Sequence, residues 1–272
     1  MGLFLQIFNE LFIKTSVLKS TTGLITILVF LLLNVENLQS QNLVNDKFGK
    51  GLTAISKDST MYVKFGFRFQ TLYAAKHNAL NSTWEENFLV RRSRLKFDGW
   101  VFSPKVIYKL ELGLSNRDTR SGRVDESGNT ASLLLDAVVK WNFSPGWSLW
   151  FGQTKLPGNR ERVISSQKLQ FVDRSLVNGL FTLDRDIGVQ LRHKSIIGKS
   201  VFNQAFAVST GEGRDIIVAN PLNGKQYTAR VELLPFGEFT SKGDYFGTDL
   251  KRERSPKLSI GVTGDYNSNA VR

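Results

Sequence analysis

The 272-residue sequence has no cysteine, which excludes disulfides, thiol catalysis, Cys-ligated zinc or iron–sulfur centres and a lipid-modified N-terminal Cys. Histidine is scarce: His77 and His193 leave a histidine metal site or a catalytic triad little to work with. No glycine-rich loop followed by a helix appears, which argues against nucleotide chemistry. Acidic residues are in deficit, 24 against 36 Lys and Arg, a formal charge of +12. Such an excess attracts nucleic acid, acidic lipid or lipopolysaccharide, or small anions drawn into a cleft. The choice among them depends on where the charge sits.

A long apolar run is also missing. Residues 23–33 make an apolar stretch of only 11, against the ~20 needed to cross a bilayer as a helix. Lys14 and Lys19 precede it, and a polar stretch, NVENLQSQ at 34–41, follows. This basic–apolar–polar order is that of a secretory signal cleaved after Ser40. The expected organisation is a signal peptide at 1–40, a lead segment at 41–59 and one β domain at 60–272.

What the chain does have, beyond Gly51, is alternation. In residues 60–73 (TMYVKFGFRFQTLY), Met61, Val63, Phe65, Phe67, Phe69 and Tyr73 share one face, and Lys64, Arg68 and Gln70 the other. Residues 87–101 set Leu89, Leu95 and Phe97 against Arg92, Arg94, Lys96 and Asp98. Residues 105–115 set Tyr108, Leu110 and Leu112 against Lys109 and Glu111, and 133–143 set Val139 and Trp141 against Asp136 and Lys140. Weaker copies lie at 147–156, 186–196, 201–210, 225–234 and 258–266. Nine strands of about ten residues are expected, the length that crosses a membrane at a tilt.

Connections alternate in length. Short turns are expected at 102–104, 144–146 and Gly198, and long loops at 74–86, 116–132, 157–185 and 211–224. That is the transmembrane barrel pattern, with one exception, the 22 residues of 235–256 on the short side. Trp141, Phe143 and Trp147 beside the 144–146 turn suit the headgroup level.

With each apolar face assigned to lipid, the other face collects Lys64, Arg68, Arg92, Arg94, Lys96, Lys105, Lys109, Lys140, Arg192, Lys194 and Arg230. These eleven cations meet six carboxylates, Asp98, Glu111, Asp136, Asp186, Glu232 and Asp265, a surplus of five. Arg91 alone has lipid-side parity. Arg92, Arg94 and Lys96, projecting at ~7 Å pitch, form a candidate anion ladder, or else lumen salt bridges. The cationic loop at 157–185, with Arg160, Arg162, Lys168 and Arg174, is expected either to fold inward as a constriction or to meet lipopolysaccharide outside.

The stretches RRSRLKFDG (91–99), LLDAVVKW (134–141), GQTKLPGNRE (152–161), SSQKLQFVDR (165–174) and RVELLPFG (230–237) resemble, in order, the phosphate-selective porins O and P. The resemblance spans residues 60–266. It implies an all-β, sixteen-stranded antiparallel transmembrane barrel in the outer membrane of a Gram-negative bacterium. It further implies a homotrimer with a pore passing phosphate or other small anions, no cofactor, no enzymatic activity and no nucleic-acid partner. Arg92, Arg94 and Lys96 match the family's basic strand, and Arg160 and Glu161 its loop motif. An odd count of nine strands and no closing aromatic strand suggest an N-terminal portion of such a barrel.

A different class, a secreted or periplasmic β-sandwich binding an acidic polysaccharide or another polyanion, would share the alternation but bury the apolar face between two sheets. A membrane-embedded enzyme is a third reading. It is poorly served by His193, of lipid-side parity, and His77, in an expected loop.

Overall fold

A computed structural model of the chain describes residues 42–43, 51–116, 118–119, 132–215 and 223–269. The expected signal peptide at 1–40 lies outside them. The described residues from Leu43 onward belong to one compact unit. A two-residue strand, β1 (Asn42–Leu43), is followed by β2 (Leu52–Ile55), β3 (Met61–Asn78), β4 (Thr83–Val101), β5 (Ser103–Gly113) and β6 (Leu134–Ser144). Then come β7 (Trp147–Lys155), β8 (Arg185–Ile197), β9 (Ser200–Ser209), β10 (Lys225–Leu234) and β11 (Ile260–Ser268). Strands β2 to β11 pair antiparallel in chain order, and among the described residues none joins β11 back to β2, so the sheet is open.

All nine expected strands are present. A tenth, β2, lies in the expected lead segment and pairs Leu52 with Phe65 and Ile55 with Tyr62. With β1 the sheet counts eleven strands where nine were expected. The expected loop at 74–86 is also corrected: β3 and β4 continue through it as paired strands of 18 and 19 residues, turning at residues 79–82. Polar side chains such as Lys76, Glu85 and Glu86 hide the alternation there, because both faces of this hairpin end are exposed.

The other connections keep the expected contrast. Phe102 alone links β4 to β5, Pro145-Gly146 links β6 to β7, and Gly198-Lys199 links β8 to β9. Gly146 has φ 76°, a conformation that residues with a Cβ rarely adopt, so the two-residue turn depends on it. The β7–β8 connection carries two short helices, α1 (Arg160–Val163) and α2 (Leu176–Leu180). Asn159 caps α1, accepting from the Arg162 N–H at 2.8 Å, and Ser175 caps α2, accepting from the Asn178 N–H at 3.2 Å. Glu161 ties the helices together, accepting from the Ser175 N–H and hydroxyl, both at 2.6 Å.

The distribution of polarity is inverted. Thr228, Asp136, Asp186 and Glu232 are no more than 2% exposed, as deeply buried as Ala207, Leu135 and Leu234, whereas Phe67, Phe69, Tyr73, Phe88, Phe151, Val262 and Tyr266 are all at least 58% exposed. A soluble sheet hides its aromatics. Here the face that carries them has no second sheet against it among the described residues, and the polar face is the one covered by connections. The expectation that a β-sandwich would bury this apolar face is not met.

Candidate functional site

The face parity follows the alternation over most strands. Arg68 pairs across from Arg94, Gly66 from Lys96, Lys64 from Asp98, Asp98 from Lys109, and Lys109 from Val138, so these side chains share the covered face. Phe67 pairs with Leu95, and Val139 with Phe151, on the bare face. One stretch departs. Gln70 pairs with Arg92 but Thr71 with Val90, leaving Arg91 as an extra residue in a β-bulge. The bulge turns Arg91 inward beside Arg92 and exchanges the faces of Leu89 and Val90. Arg91 is thus not a lipid-facing exception: it is only 9% exposed and ion-paired to Asp173.

The long β7–β8 connection folds onto the covered face. The Arg68 guanidinium donates to Ser166 Oγ at 2.9 Å, Lys155 Nζ to the Arg162 carbonyl at 2.8 Å, and Arg230 to the Gly158 carbonyl at 3.1 Å. Arg92 donates to the Val172 carbonyl at 3.1 Å and to Gln70 Oε1 at 2.9 Å. Arg174 holds the end of α1, donating to the carbonyls of Glu161 at 2.9 Å and Ile164 at 2.8 Å. Arg160 is paired with Asp244 at 2.9 Å and with Glu232, which draws in the β10–β11 connection. That connection is the one the turn-length pattern left unexplained.

Between sheet and connections lies a cavity of about 1080 Å³. Its lining holds thirteen Lys and Arg against six Asp and Glu. Of the expected pore residues, Lys64, Arg68, Arg94, Lys96, Lys109, Lys140 and Arg230 line it, as does Lys168 of the loop. Many of these cations are engaged. Arg94 donates to both oxygens of Asp118, at 2.6 and 2.8 Å, and to Glu111 at 3.0 Å. Lys96 pairs with Asp98 at 2.7 Å, Lys109 with Asp136 at 2.5 Å and Glu111 at 2.9 Å, and Arg230 with Glu232 at 2.9 Å. The row Arg92, Arg94, Lys96 is therefore tied to carboxylates and loop carbonyls along its length.

Other cations have no carboxylate within ion-pair distance among the described residues: Lys64, Arg68, Lys140 and Arg192. Two of them flank a residue that the sequence reading did not single out. Trp150 receives Lys140 Nζ 3.8 Å from its ring centroid and the Arg192 guanidinium carbon at 4.0 Å. An indole neutralises no charge, so neither cation is offset by a carboxylate at this position. Trp150 shares strand parity with Ser148 and Thr154, which was the available signal.

A second cavity of about 360 Å³ lies where the loop meets the ends of β4, β7 and β8. It is lined by Arg91, Arg92, Arg94, Lys155, Arg162, Arg174, Arg185 and Arg214, with only Asp118 and Asp184 as carboxylates. Burial and the neighbouring Arg162 push the Arg174 guanidinium down to about 10, and burial lowers Arg214 as well. Burial raises the Asp184 carboxyl, but Arg162 and Arg185 outweigh that and hold it below its ordinary value; Arg94 does the same for Asp118. Arg160 lines neither cavity. Arg185 closes the cationic 157–185 loop expected from the sequence, whereas Arg214, in the β9–β10 connection, carries no mark there.

A single antiparallel sheet with one aromatic, exposed face and one charged, covered face defines a wall of a membrane β-barrel. The chain belongs to the phosphate-selective porin O and P family, whose sequence profile matches residues 62–261. The family is one of outer-membrane porins and is not enzymatic. No curated protein matches the chain.

Proposed function

We propose that this chain lines a water-filled, anion-favouring diffusion channel that passes phosphate or other small anions across the outer membrane. The supporting observation is the surplus of thirteen cations over six carboxylates around the larger cavity, with Lys140 and Arg192 held on Trp150 rather than on carboxylates. Fixed cations lower the energy of an entering anion and raise that of a cation. Screening acts over ~8 Å at physiological salt, so the effect is strongest where the loop narrows the path. The remaining parts of the reading are a signal peptide at 1–40, closure of the open sheet by further strands into a sixteen-stranded barrel, a trimeric assembly and contact with lipopolysaccharide. The open sheet, with β1 and β11 at its edges, supports closure by further strands.

The test is the reversal potential of the closed channel in planar bilayers under a salt gradient. Lys140→Gln with Arg192→Gln is expected to move it toward zero, whereas Lys105→Gln, an exposed residue beside the β4–β5 turn, leaves it in place. An unchanged potential in the double variant would refute the reading. Arg92→Glu with Arg94→Glu is a poorer probe than its sequence position suggests, because Arg94 bridges Glu111 and Asp118.

A further inference from the structure

The β10–β11 connection, residues 235–259, is out of proportion to its place. It leaves the sheet at the end where β4–β5, β6–β7 and β8–β9 are joined by one or two residues. Barrels keep their turns short at that end. Part of the connection is braced against itself and the wall. The Thr240 hydroxyl donates to Glu253 at 3.1 Å, the Glu253 N–H to Asp249 at 3.0 Å and Lys257 Nζ to the Phe236 carbonyl at 2.7 Å, and Lys194 pairs with Glu238 at 2.6 Å. Residues 244–247 reach the β7–β8 loop instead. Arg160 of that loop donates to the Asp244 carboxylate at 2.9 Å and to its carbonyl at 3.2 Å, with its guanidinium carbon 4.9 Å from the Tyr245 ring centroid. Lys168 Nζ sits 4.0 Å from the Phe246 ring centroid, and the Lys168 carbonyl accepts from the Gly247 N–H at 2.7 Å. Closeness is what demands a glycine at 247, since its φ is not positive. A Cβ there would stand 2.5 Å from the Gln170 backbone nitrogen and 3.1 Å from the Leu169 carbonyl carbon. Both are main-chain atoms, so no change of rotamer relieves the overlap.

We infer that residues 244–247 are a clasp that holds the β7–β8 loop from the opposite end of the barrel, and that this junction sets the size of solute the channel admits. The loop enters from the end of the long connections and the clasp from the end of the short ones. Both supply the lining of the larger cavity, Lys168 from the loop and Asp244 and Tyr245 from the connection. Gly247 and Asp244 are thus positioning residues: they fix where the loop stands in the path. The inference rests on the channel reading, but it concerns solute size rather than the sign of charge, so uncharged solutes report on it separately.

The experiment is swelling of proteoliposomes that hold the closed channel, in arabinose and in raffinose, a small and a larger uncharged sugar. Gly247→Val is expected to raise raffinose entry relative to arabinose entry several-fold. Gly264→Val is the control: a Cβ there meets nothing within 4 Å, and the ratio stays at the wild-type value. A second variant separates release of the clasp from a folding defect. The chain has no cysteine, so Lys168→Cys with Phe246→Cys places a single thiol pair across the junction. Diamide oxidises the two thiols to a disulfide and dithiothreitol reduces it again. Oxidised protein is expected to exclude raffinose as the wild type does, and the same polypeptide, once reduced, to admit it. A raffinose ratio unchanged both in Gly247→Val and in the reduced pair would overturn the size filter. Failure of the pair to cross-link in detergent would overturn the clasp itself, whatever the channel conducts. Wild-type liposomes that exclude arabinose as well would overturn the channel reading and the size filter with it, while arabinose entry with an unmoved ratio overturns the size filter alone.

Discussion

Asp136 is the carboxylate on which the wall and the loop root both depend. It is 1% exposed and accepts from Lys109 Nζ at 2.5 Å, Arg185 Nε at 3.1 Å and Thr154 Oγ1 at 3.0 Å. Asp136→Asn keeps the shape but removes the charge facing two cations. Leaving a buried charge without its partner costs about 3–5 kcal/mol. Lys109 retains Glu111 at 2.9 Å, but Arg185 retains only Asp184, at 3.6 Å, so the lower end, about 3 kcal/mol, is expected. With a urea slope of about 2 kcal/mol per molar, the unfolding midpoint in detergent falls by roughly 1.5 M. The control is Asp98→Asn. Its partner Lys96 lies at 2.7 Å, but the two side chains are 31% and 44% exposed, so the loss is about 1 kcal/mol or less. A midpoint for Asp136→Asn within about 0.5 M of wild type, or equal shifts in both variants, would show that this network is not electrostatically coupled as described.

Three further outcomes follow from the same geometry. Phe67→Arg, on the bare face and opposite Leu95, should cost about 2–4 kcal/mol in vesicle unfolding; a neutral result would mean that this face does not meet lipid. Arg91→Gln removes a charge-assisted hydrogen bond to Asp173 worth about 1.5–3 kcal/mol. It should therefore raise the rate of loop cleavage at Phe171 about tenfold or more, and an unchanged rate would return Arg91 to a lipid-side role. Asp118 and Asp184 have carboxyls held below their ordinary 3.8, so their contribution is complete above that value and is lost as pH falls through the lower folded one. Pepsin accessibility of the loop should rise only below about pH 4, and an onset near neutrality would refute the assignment.

Much of the wall was legible in the sequence because a strand repeats every two residues and lipid tolerates few charges. The run Phe65, Phe67, Phe69 against Lys64, Arg68, Gln70 gives register and face together. What was not legible depends on a single inserted residue or on distant partners. In Arg91-Arg92-Ser93-Arg94 any of the three arginines could be the bulged one, and the choice falls on Arg91 because Asp173, 82 residues away, waits inside. The sequence leaves Arg94 open between an anion ladder and lumen salt bridges, and its second partner Asp118 comes from the β5–β6 loop, whose sequence carries no period. The tip of the β3–β4 hairpin carries no strand signal in the sequence because a ribbon wet on both faces needs no alternation.

That hairpin sets a gradient of local stability along one pair of strands. Eighteen residues of β3 at ~3.4 Å each extend about 60 Å, well past the 9–11 residues that a tilted strand needs to cross a bilayer. β5 supports β4 only from Arg94 to Val101, and beyond that point the hairpin is a two-stranded ribbon with Tyr73, Trp84 and Phe88 exposed. Such ribbons are marginal in water without a third strand or a packed face. Amide hydrogens from Met61 to Arg68 should therefore exchange only when the sheet itself opens. Those from Tyr73 to Phe88 should exchange by fraying, at rates set by the hairpin alone and insensitive to everything that stabilises the barrel wall below it.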